Sequence, residues 1–418
     1  MQGSEGGEIA VIGAGIVGVA TALTLKLEGW PVTLYDPRDP GSGTSFGNAG
    51  SISAAGVVPV AVPGLWKRVP GMLLDPRSPL SIRWRHLPRL TPWLVRFLRA
   101  GGAENAKRIA GELAPLAHIA VDSHRELLRQ TGGMEIVKPV GWLKIYRDGT
   151  DYAATAFERE LSDMAGIRYE ALGADELRQL EPGLSREFTR ALFYPDTALA
   201  STPFALTRTY LEAFLARGGR LVREEVRGFE MGPRGPSQMV TDQGRHMCKR
   251  VVLAAGAFSG PLARQLGAPV PLDTERGYHL NFQWDGQTPT LQRPTLVSGP
   301  QFVLCPMSDG LRLTGGVELG GLEAPPDFRR IRRLAAVARQ VLPGLTGEID
   351  REWMGYRPSL PDSKPVIGRS ERHPNVWFGF GHGHLGLTYS AATGRLIADG
   401  MAGRAESVPL APFRAERF

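Results

Sequence analysis

The chain has 418 residues, which exceeds the usual size of a single hydrophobic core, so we expect two domains. Hydrophobic residues make up 42% of it and charged residues 22%, values that exclude a wholly disordered or fibrous protein. No window approaches the roughly 20 apolar residues of a membrane-spanning helix. The net charge of +7 is compatible with nucleic acid, a membrane surface or anionic substrates as partners.

The first predicted element is a βαβ unit. Apolar residues 9–12 predict a strand, residues 16–27 predict the crossover helix, and residues 31–36 predict a second strand. The polar, acidic residues 1–8 that precede it lack a basic segment leading into an apolar core, so we expect no secretory signal.

Three glycines between the first strand and the helix have separate predicted roles. Gly13 permits a tight turn, Gly15 lets the backbone approach a pyrophosphate, and Gly18 allows close packing of helix on strand. The helix N-terminus favours the negative charge of a phosphate. Asp36 ends the second strand, where its carboxylate can accept hydrogen bonds from ribose hydroxyls. This unit predicts an adenine dinucleotide site without choosing between NAD and FAD.

A basic and aromatic stretch occupies residues 66–99. Its Lys and Arg residues alternate with Trp and Phe, and Asp75 is its one acidic residue. A predicted helix here carries Trp93, Leu94, Phe97 and Leu98 on one face, flanked by basic residues Arg96 and Arg99. Such a helix suits either an anionic membrane surface or packing on a neighbouring domain with a solvated basic rim.

Three later segments complete a pattern that resembles the D-amino acid oxidase family. They are Gly43-Thr44-Ser45-Phe46-Gly47-Asn48-Ala49-Gly50-Ser51, residues 250–257, and the glycine-rich turn Gly379-Phe380-Gly381-His382-Gly383-His384-Leu385-Gly386. Residues 275–279, 311–319 and 355–362 further resemble the bacterial D-amino acid dehydrogenase branch. This resemblance selects FAD over NAD.

The resemblance implies an α/β fold, with a Rossmann-like FAD-binding domain and an inserted mixed-sheet α+β substrate domain of the D-amino acid oxidase type. We expect residues 1–54, 201–266 and 351–418 in the FAD domain and residues 55–200 and 267–350 in the substrate domain. Alternating patterns predict substrate-domain strands at residues 141–146, 191–194, 278–284, 301–306 and 311–317.

The resemblance also implies noncovalent FAD and a set of contacts to it. Amides of residues 383–386, at the start of a late helix, would stabilise the negative charge that the flavin acquires on reduction. The complete predicted set is Gly13, Gly15, Ile16, Val17, Gly18, Asp36, Pro37, Arg38, Thr44, Ser45, Asn48, Ala49, Gly50, Ser51, Val226, Ala254, Ala255, Gly256, Gly381, Gly383, His384, Leu385, Gly386, Leu387 and Thr388.

For the substrate, the resemblance assigns Arg357 as the clamp for an amino acid carboxylate. Tyr278 and His279 point to opposite faces of a strand, and we expect Tyr278 rather than His279 to reach the substrate. His384, as a group that orients the substrate or tunes the flavin, and Ser53 complete the predicted pocket. The proton acceptor for the substrate amine stays unassigned.

The implied reaction is oxidative deamination of a D-amino acid, with hydride leaving Cα for flavin N5 and electrons passing to a quinone or another acceptor. Oxidation of a secondary amine such as proline, hydroxyproline or sarcosine, or of glycine, is the alternative, and a non-catalytic flavoprotein subunit is a third. Cys248 and Cys305 lie in predicted strands, so we expect no disulfide and a cytoplasmic location. Peripheral contact with the inner face of the cell membrane is a further hypothesis. We expect no metal site and no nucleic acid partner.

Overall fold

The computed structural model describes residues 8–75, 78–283 and 291–418. Residues 1–7, Arg77 of the basic stretch and Trp284 of a predicted strand lie outside the described residues. The α-helices are α1 (Ile16–Leu27), α2 (Leu65–Leu74), α3 (Leu87–Ala100), α4 (Ala103–Arg129), α5 (Gly149–Ala153), α6 (Ala156–Met164), α7 (Ala174–Leu180), α8 (Pro203–Ala216), α9 (Ser259–Gln265), α10 (Arg329–Val341) and α11 (Gly386–Met401).

The strands come from all parts of the chain. They are β1 (Ile9–Ile12), β2 (Val32–Tyr35), β3 (Ser51–Ser53), β4 (Leu80–Ile82), β5 (Val137–Lys138), β6 (Trp142–Tyr146), β7 (Glu170–Leu172), β8 (Arg190–Tyr194), β9 (Thr197–Ala200), β10 (Arg220–Val222), β11 (Val226–Gly232), β12 (Gly235–Thr241), β13 (Arg245–Met247), β14 (Arg250–Leu253), β15 (Asp273–Phe282), β16 (Thr295–Val297), β17 (Phe302–Met307), β18 (Gly310–Leu319), β19 (Ile349–Ser359), β20 (Val366–Arg369) and β21 (Val376–Phe380).

A mostly parallel sheet holds the βαβ unit. Its strand order is β10-β2-β1-β14-β21-β20, and only the β20–β21 pair is antiparallel. The predicted helix at residues 16–27 is confirmed as α1. Helices α1 and α11 share one buried core beside this sheet. Small residues allow their close approach, since a Cβ added to Gly394 would lie 3.0 Å from Cα of Thr21.

A mixed sheet forms the second large layer, as the fold prediction requires. Its strands run β19-β15-β18-β17-β16-β6-β8-β7, with β4 paired in parallel to β18. Alternate residues of its central strands pack with Leu334 and Ala338 of α10 in a separate apolar core. The opposite face carries Arg357 and Trp353.

Two details of the expected organisation are wrong. Residues 351–359, which we assigned to the FAD domain, lie in β19 and pair with β15 of the mixed sheet, so the boundary at 351 falls inside a strand. Cys248 lies between β13 and β14 rather than within a strand. It and Cys305 are buried free thiols.

Helix α3 uses its apolar face inside the molecule. Trp93, Leu94 and Phe97 pack with Leu319 and neighbouring residues of the mixed sheet, whereas Leu98 is exposed. Most of the apolar face of α3 therefore packs against the mixed sheet. Within the described ranges, every helix is either too short or too polar to cross a bilayer.

Candidate functional site

The glycine turn after β1 fits its predicted geometry. Gly13 has a φ of 104°, a conformation that residues with a Cβ rarely adopt. A Cβ on Gly13 would lie 2.5 Å from the carbonyl oxygen of Ala254, and one on Gly18 would lie 1.8 Å from that of Gly13. Any side chain at these positions would therefore push β1, α1 and β14 apart.

Hydrogen bonds fix the entrance to α1. Ser45 Oγ accepts a 2.9 Å hydrogen bond from the Ile16 amide. Asp36 accepts from the amides of Ala14 at 2.8 Å and Arg38 at 2.9 Å. The Ile16 amide, which we expected to face the cofactor, is thus occupied within the protein. The Ser45 hydroxyl keeps its own hydrogen for a phosphate oxygen, and the Asp36 carboxylate keeps lone pairs for ribose hydroxyls.

The turn before α11 corrects another expectation. The Gly383 amide donates to the carbonyl of Pro358 at 2.8 Å, and the Leu385 amide donates to that of His382 at 2.9 Å. These two of the predicted donor amides are therefore hydrogen-bonded to carbonyls of the protein itself. Across the described chain, the amides of His384 and Gly386 carry no such bond. They are the two predicted donors that stay available.

Arg312 is a residue that the sequence reasoning missed. It is 1% exposed, and its Nη1 donates to the backbone carbonyls of Phe46 at 2.9 Å and Asn48 at 2.8 Å. The Asn48 side chain then donates to the carbonyl of His384 at 3.2 Å. Arg312 thereby ties β18 of the mixed sheet to the loop of residues 43–51. The sequence did contain one signal for this role, namely an arginine inside a predicted strand whose alternate residues are apolar.

Arg357 is held beside the β15–β18 pair with most of its donors free. Its Nη1 donates to the Gly316 carbonyl at 2.8 Å. Its guanidinium lies over Gly277, where a Cβ would come within 2.3 Å of Nη2. Burial lowers the pKa of Arg357, and the charge of Glu275 opposes that change. Over the described residues, no carboxylate forms an ion pair with Arg357, so its fork can bind another carboxylate.

Tyr278 is not brought together with Arg357. In β15, Tyr278 is opposite Met354 and Glu275 is opposite Arg357, so the tyrosine points to the other face of the sheet. Its hydroxyl donates to Glu318 and accepts from the Asp327 amide at 3.1 Å. Burial and the Glu318 hydrogen bond raise the pKa of Tyr278 to about 12. The structure therefore places Tyr278 and Arg357, the two predicted substrate residues, on opposite faces of the sheet, and His279 on the Arg357 face.

His279 lies on the Arg357 face but beneath an aromatic ring. It stacks on Trp353, with ring centroids 5.1 Å apart and planes 16° apart. Trp353 also covers Gly47, where a Cβ would come within 1.9 Å of the indole. Burial, with a further contribution from Arg312, lowers the pKa of His279 to about 3, so the imidazole is neutral. Trp353 was not predicted as a site residue.

His384 does lie near Arg357. Crowding by protein atoms and then the positive charge of Arg357 lower the pKa of His384 to about 4, although its side chain keeps solvent exposure. A neutral imidazole here can donate or accept one hydrogen bond but carries no charge at neutral pH. His384 is therefore close enough to Arg357 to feel its charge, and it is exposed to solvent.

Of the remaining predicted residues, Ser53 and Val226 are engaged elsewhere in the protein, whereas Thr44 and Thr388 hold the loop of residues 43–51 in place. Ser53 Oγ lies 2.9 Å from the Thr197 hydroxyl and accepts from the Ala55 amide, so its hydroxyl is engaged away from Arg357. Val226 belongs to the same buried core as Tyr35, the last residue of β2. The Thr44 hydroxyl donates to the Tyr356 carbonyl and accepts from the Tyr356 amide. The Thr388 hydroxyl donates to the Ser51 carbonyl. These bonds join the loop of residues 43–51 to β19 and α11.

These residues fit a dinucleotide that carries a flavin. The backbone at Gly13 excludes a side chain, a Cβ on Gly15 would lie 3.3 Å from Ser45 Oγ, and a Cβ on Gly256 would meet no protein atom within 4 Å. The loop of residues 43–51 is hydrogen-bonded to the start of α1 through Ser45 and to the backbone of His384 through Asn48, so it spans the distance between the glycine turn and the turn before α11.

Comparisons with known proteins agree with this geometry. Residues 8–400 match the DAO family, described as FAD dependent oxidoreductase. The chain is 37% identical to a D-amino-acid oxidase of Bradyrhizobium diazoefficiens over 99% of both chains. It is 31% identical to a D-amino acid dehydrogenase of Paramagnetospirillum magneticum, over 98% of this chain and 99% of that one.

Solved structures share the fold at lower identity. A glycine oxidase from Bacillus cereus has a TM-score of 0.72 and 20% identity, covering 96% of this chain and 97% of its own. An L-proline dehydrogenase from P. horikoshii has a TM-score of 0.74 and 21% identity, covering 99% and 98%. From its sequence match and its flavin-compatible cradle, this chain belongs to the DAO family of FAD-dependent oxidoreductases, with FAD as its cofactor.

Proposed function

We propose that this enzyme oxidises D-amino acids to 2-oxo acids and ammonia, through an imino acid that water hydrolyses. The observation that carries this proposal is the half-buried Arg357, whose guanidinium has one hydrogen bond to Gly316 and no ion pair with a described carboxylate. The names of the relatives, a D-amino-acid oxidase and several D-amino acid dehydrogenases, support the choice of substrate.

The protein's part in this reaction is orientation. Arg357 would bind the substrate carboxylate through parallel N–H donors, which fixes the Cα hydrogen relative to the cofactor. The bound flavin supplies the two-electron acceptor for that hydrogen. The neutral imidazole of His384, beside Arg357, would hydrogen-bond the substrate and limit its rotation. We propose that FAD is bound noncovalently.

We also propose that the electrons pass to a quinone at a membrane surface. Trp66, Trp84 and Leu98 are 62%, 69% and 51% exposed within residues 65–100. The exposed side chains of the same stretch include Arg85, Arg89, Arg96 and Arg99. Apolar and cationic side chains exposed together suit an anionic lipid surface. Flotation with anionic and neutral liposomes at low salt tests this; protein that stays at the bottom of both gradients contradicts it.

Anaerobic flavin absorbance tests the proposed activity. The purified enzyme is mixed with matched D- and L-amino acids, both prolines, both hydroxyprolines, sarcosine and glycine. Bleaching by primary D-amino acids with ammonia release is expected. Bleaching by cyclic or N-methylated amines or by glycine alone would instead favour the alternative named by neighbours such as glycine oxidase and L-proline dehydrogenase. No bleaching by any amine would favour a non-catalytic flavoprotein.

A further inference from the structure

Glu275 shares the sheet face of Arg357. The β15–β19 register places the two residues directly opposite each other, and opposed residues of an antiparallel pair point to the same face. Glu275 is 6% exposed, so its carboxylate is held largely away from water.

The two charges are neighbours that do not neutralise each other by direct contact. The guanidinium turns over Gly277 to reach Gly316 on the next strand, and Glu275 forms no salt bridge with it. Burial raises the pKa of Glu275, while the charge of Arg357 and a hydrogen bond with Ser359 oppose that rise. Each ion thus favours the charged form of the other.

Other titratable groups share this face, among them Arg312 and Arg351, which both lie opposite Asn281 of β15. Asp273 bonds the His86 ring at 3.1 Å, and the imidazoles of His279 and His384 have pKa values lowered to about 3 and about 4. The structure therefore places a carboxyl group beside the Arg357 guanidinium, on the adjacent strand and on the same face of the sheet. An amino acid carries the complementary pair, a carboxylate and an ammonium group on one carbon.

We propose that Glu275 is a specificity-determining residue, which makes the site selective for zwitterionic amino acids over carboxylates that lack an ammonium group. This inference rests on the proposed function. Arg357 binds the carboxylate, and Glu275 attracts the ammonium group or, in its absence, repels the added negative charge. The same repulsion favours release of a 2-oxo acid product, which has lost the ammonium group.

The test compares D-alanine with pyruvate in the FAD-loaded enzyme. The apparent Kd for D-alanine comes from anaerobic flavin reduction, and that for pyruvate from perturbation of the flavin spectrum. In Glu275→Gln we expect weaker D-alanine binding and tighter pyruvate binding, which together change the ratio of the two constants by about tenfold or more. Glu352→Gln, on the other face of β19, is the matched control and should leave the ratio unchanged.

A purely structural role would weaken both ligands together and leave their ratio unchanged, which would overturn the inference. Glu275→Asp withdraws the carboxylate by one methylene and should shift the ratio in the same direction by about threefold. If Glu275→Gln fails to fold, an unshifted ratio in Glu275→Asp overturns the inference. A wild-type flavin that no D-amino acid reduces overturns the proposed function, whereas normal reduction with an unshifted ratio overturns the role of Glu275 alone.

Discussion

The guanidinium of Arg357 lies directly over Gly277, so that a Cβ at position 277 would come within 2.3 Å of Nη2. This contact crosses from β19 to β15 and lets the arginine reach Gly316 on β18. The position of the candidate carboxylate clamp therefore depends on the absence of a side chain on the neighbouring strand.

Gly277→Ala should displace Arg357 and raise the KM for a D-amino acid by about tenfold or more, the equivalent of one weakened charge-assisted hydrogen bond. Steady-state kinetics of the FAD-loaded variant measure this. Gly111→Ala is the control, because Gly111 is exposed in α4 and an added Cβ meets no protein atom within 4 Å. An unchanged KM in Gly277→Ala would show that the arginine does not need this position.

Arg357→Lys should raise the KM by about a hundredfold, because a lysine ammonium cannot donate two parallel hydrogen bonds to a carboxylate. FAD binding should be retained, since Arg357 lies on the mixed sheet. Arg332→Lys provides a matched control at an exposed ion pair with Glu352. A wild-type KM in Arg357→Lys would remove the clamp from the proposed mechanism.

Tyr278→Phe should leave the KM within about twofold of wild type, because the hydroxyl faces Glu318 and not Arg357. The same change should lower the free energy of unfolding by about 1–3 kcal/mol, since the Glu318 carboxylate and the Asp327 amide each lose a buried partner. Urea unfolding with saturating FAD measures the second effect. A large loss of substrate affinity at normal stability would restore Tyr278 to the substrate site.

Arg312→Met should weaken FAD binding by about tenfold or more, because it frees the Phe46 and Asn48 carbonyls and loosens the loop of residues 43–51. Titration of the apoprotein with FAD, followed by flavin fluorescence, measures the affinity. Arg351→Met is the comparison, because Arg351 also forms an ion pair with Asp309 but is more exposed than Arg312. Equal FAD affinity in the two variants would contradict the proposed anchoring.

His124 predicts a specific pH dependence of stability. Burial lowers its pKa to about 4, and it bonds Tyr210 on α8 and the Leu387 carbonyl on α11. The unfolded chain, with a histidine pKa near 6.5, binds the proton more strongly, so this stability is present above about pH 6.5 and is lost as pH falls towards 4.

The expected slope from His124 is about 1.4 kcal/mol per pH unit. Because the unfolded histidine is already half protonated at pH 6.5, His124→Gln should lose about 1.6 kcal/mol less than wild type when the pH is lowered from 6.5 to 5. Urea unfolding at both pH values measures the difference. Parallel pH profiles would show that His124 is not neutral in the folded protein.

Local sequence patterns predicted the elements of the dinucleotide-binding layer well, because the residues at the ends of each element indicate where it begins and ends. Glycine turns and apolar runs placed α1 and α11, and the roles of Gly13 and Gly18 follow from backbone sterics alone. The substrate face depended on long-range pairing. Strand alternation separated Tyr278 from His279, but only the register with β19 decides which of them shares a face with Arg357.

The same limit explains the other corrections. A glycine-rich turn before a helix indicates available amides, yet the Gly383 amide is taken by Pro358, which precedes it by 25 positions in the sequence and lies at the end of β19. Arg312 acts on carbonyls of residues 46 and 48, and no local pattern relates such distant segments. These contacts exist only once the two sheets have come together.

The order of strands in the parallel sheet also constrains how the protein is made. β1 needs β14 on one side, β14 needs β21, and α1 packs on α11, which ends at Met401. During synthesis, the βαβ unit therefore has an open edge and an uncovered apolar face until β14, β21 and α11 have been made. A chain that stops before β21 would expose that edge, and we expect it to aggregate rather than bind FAD.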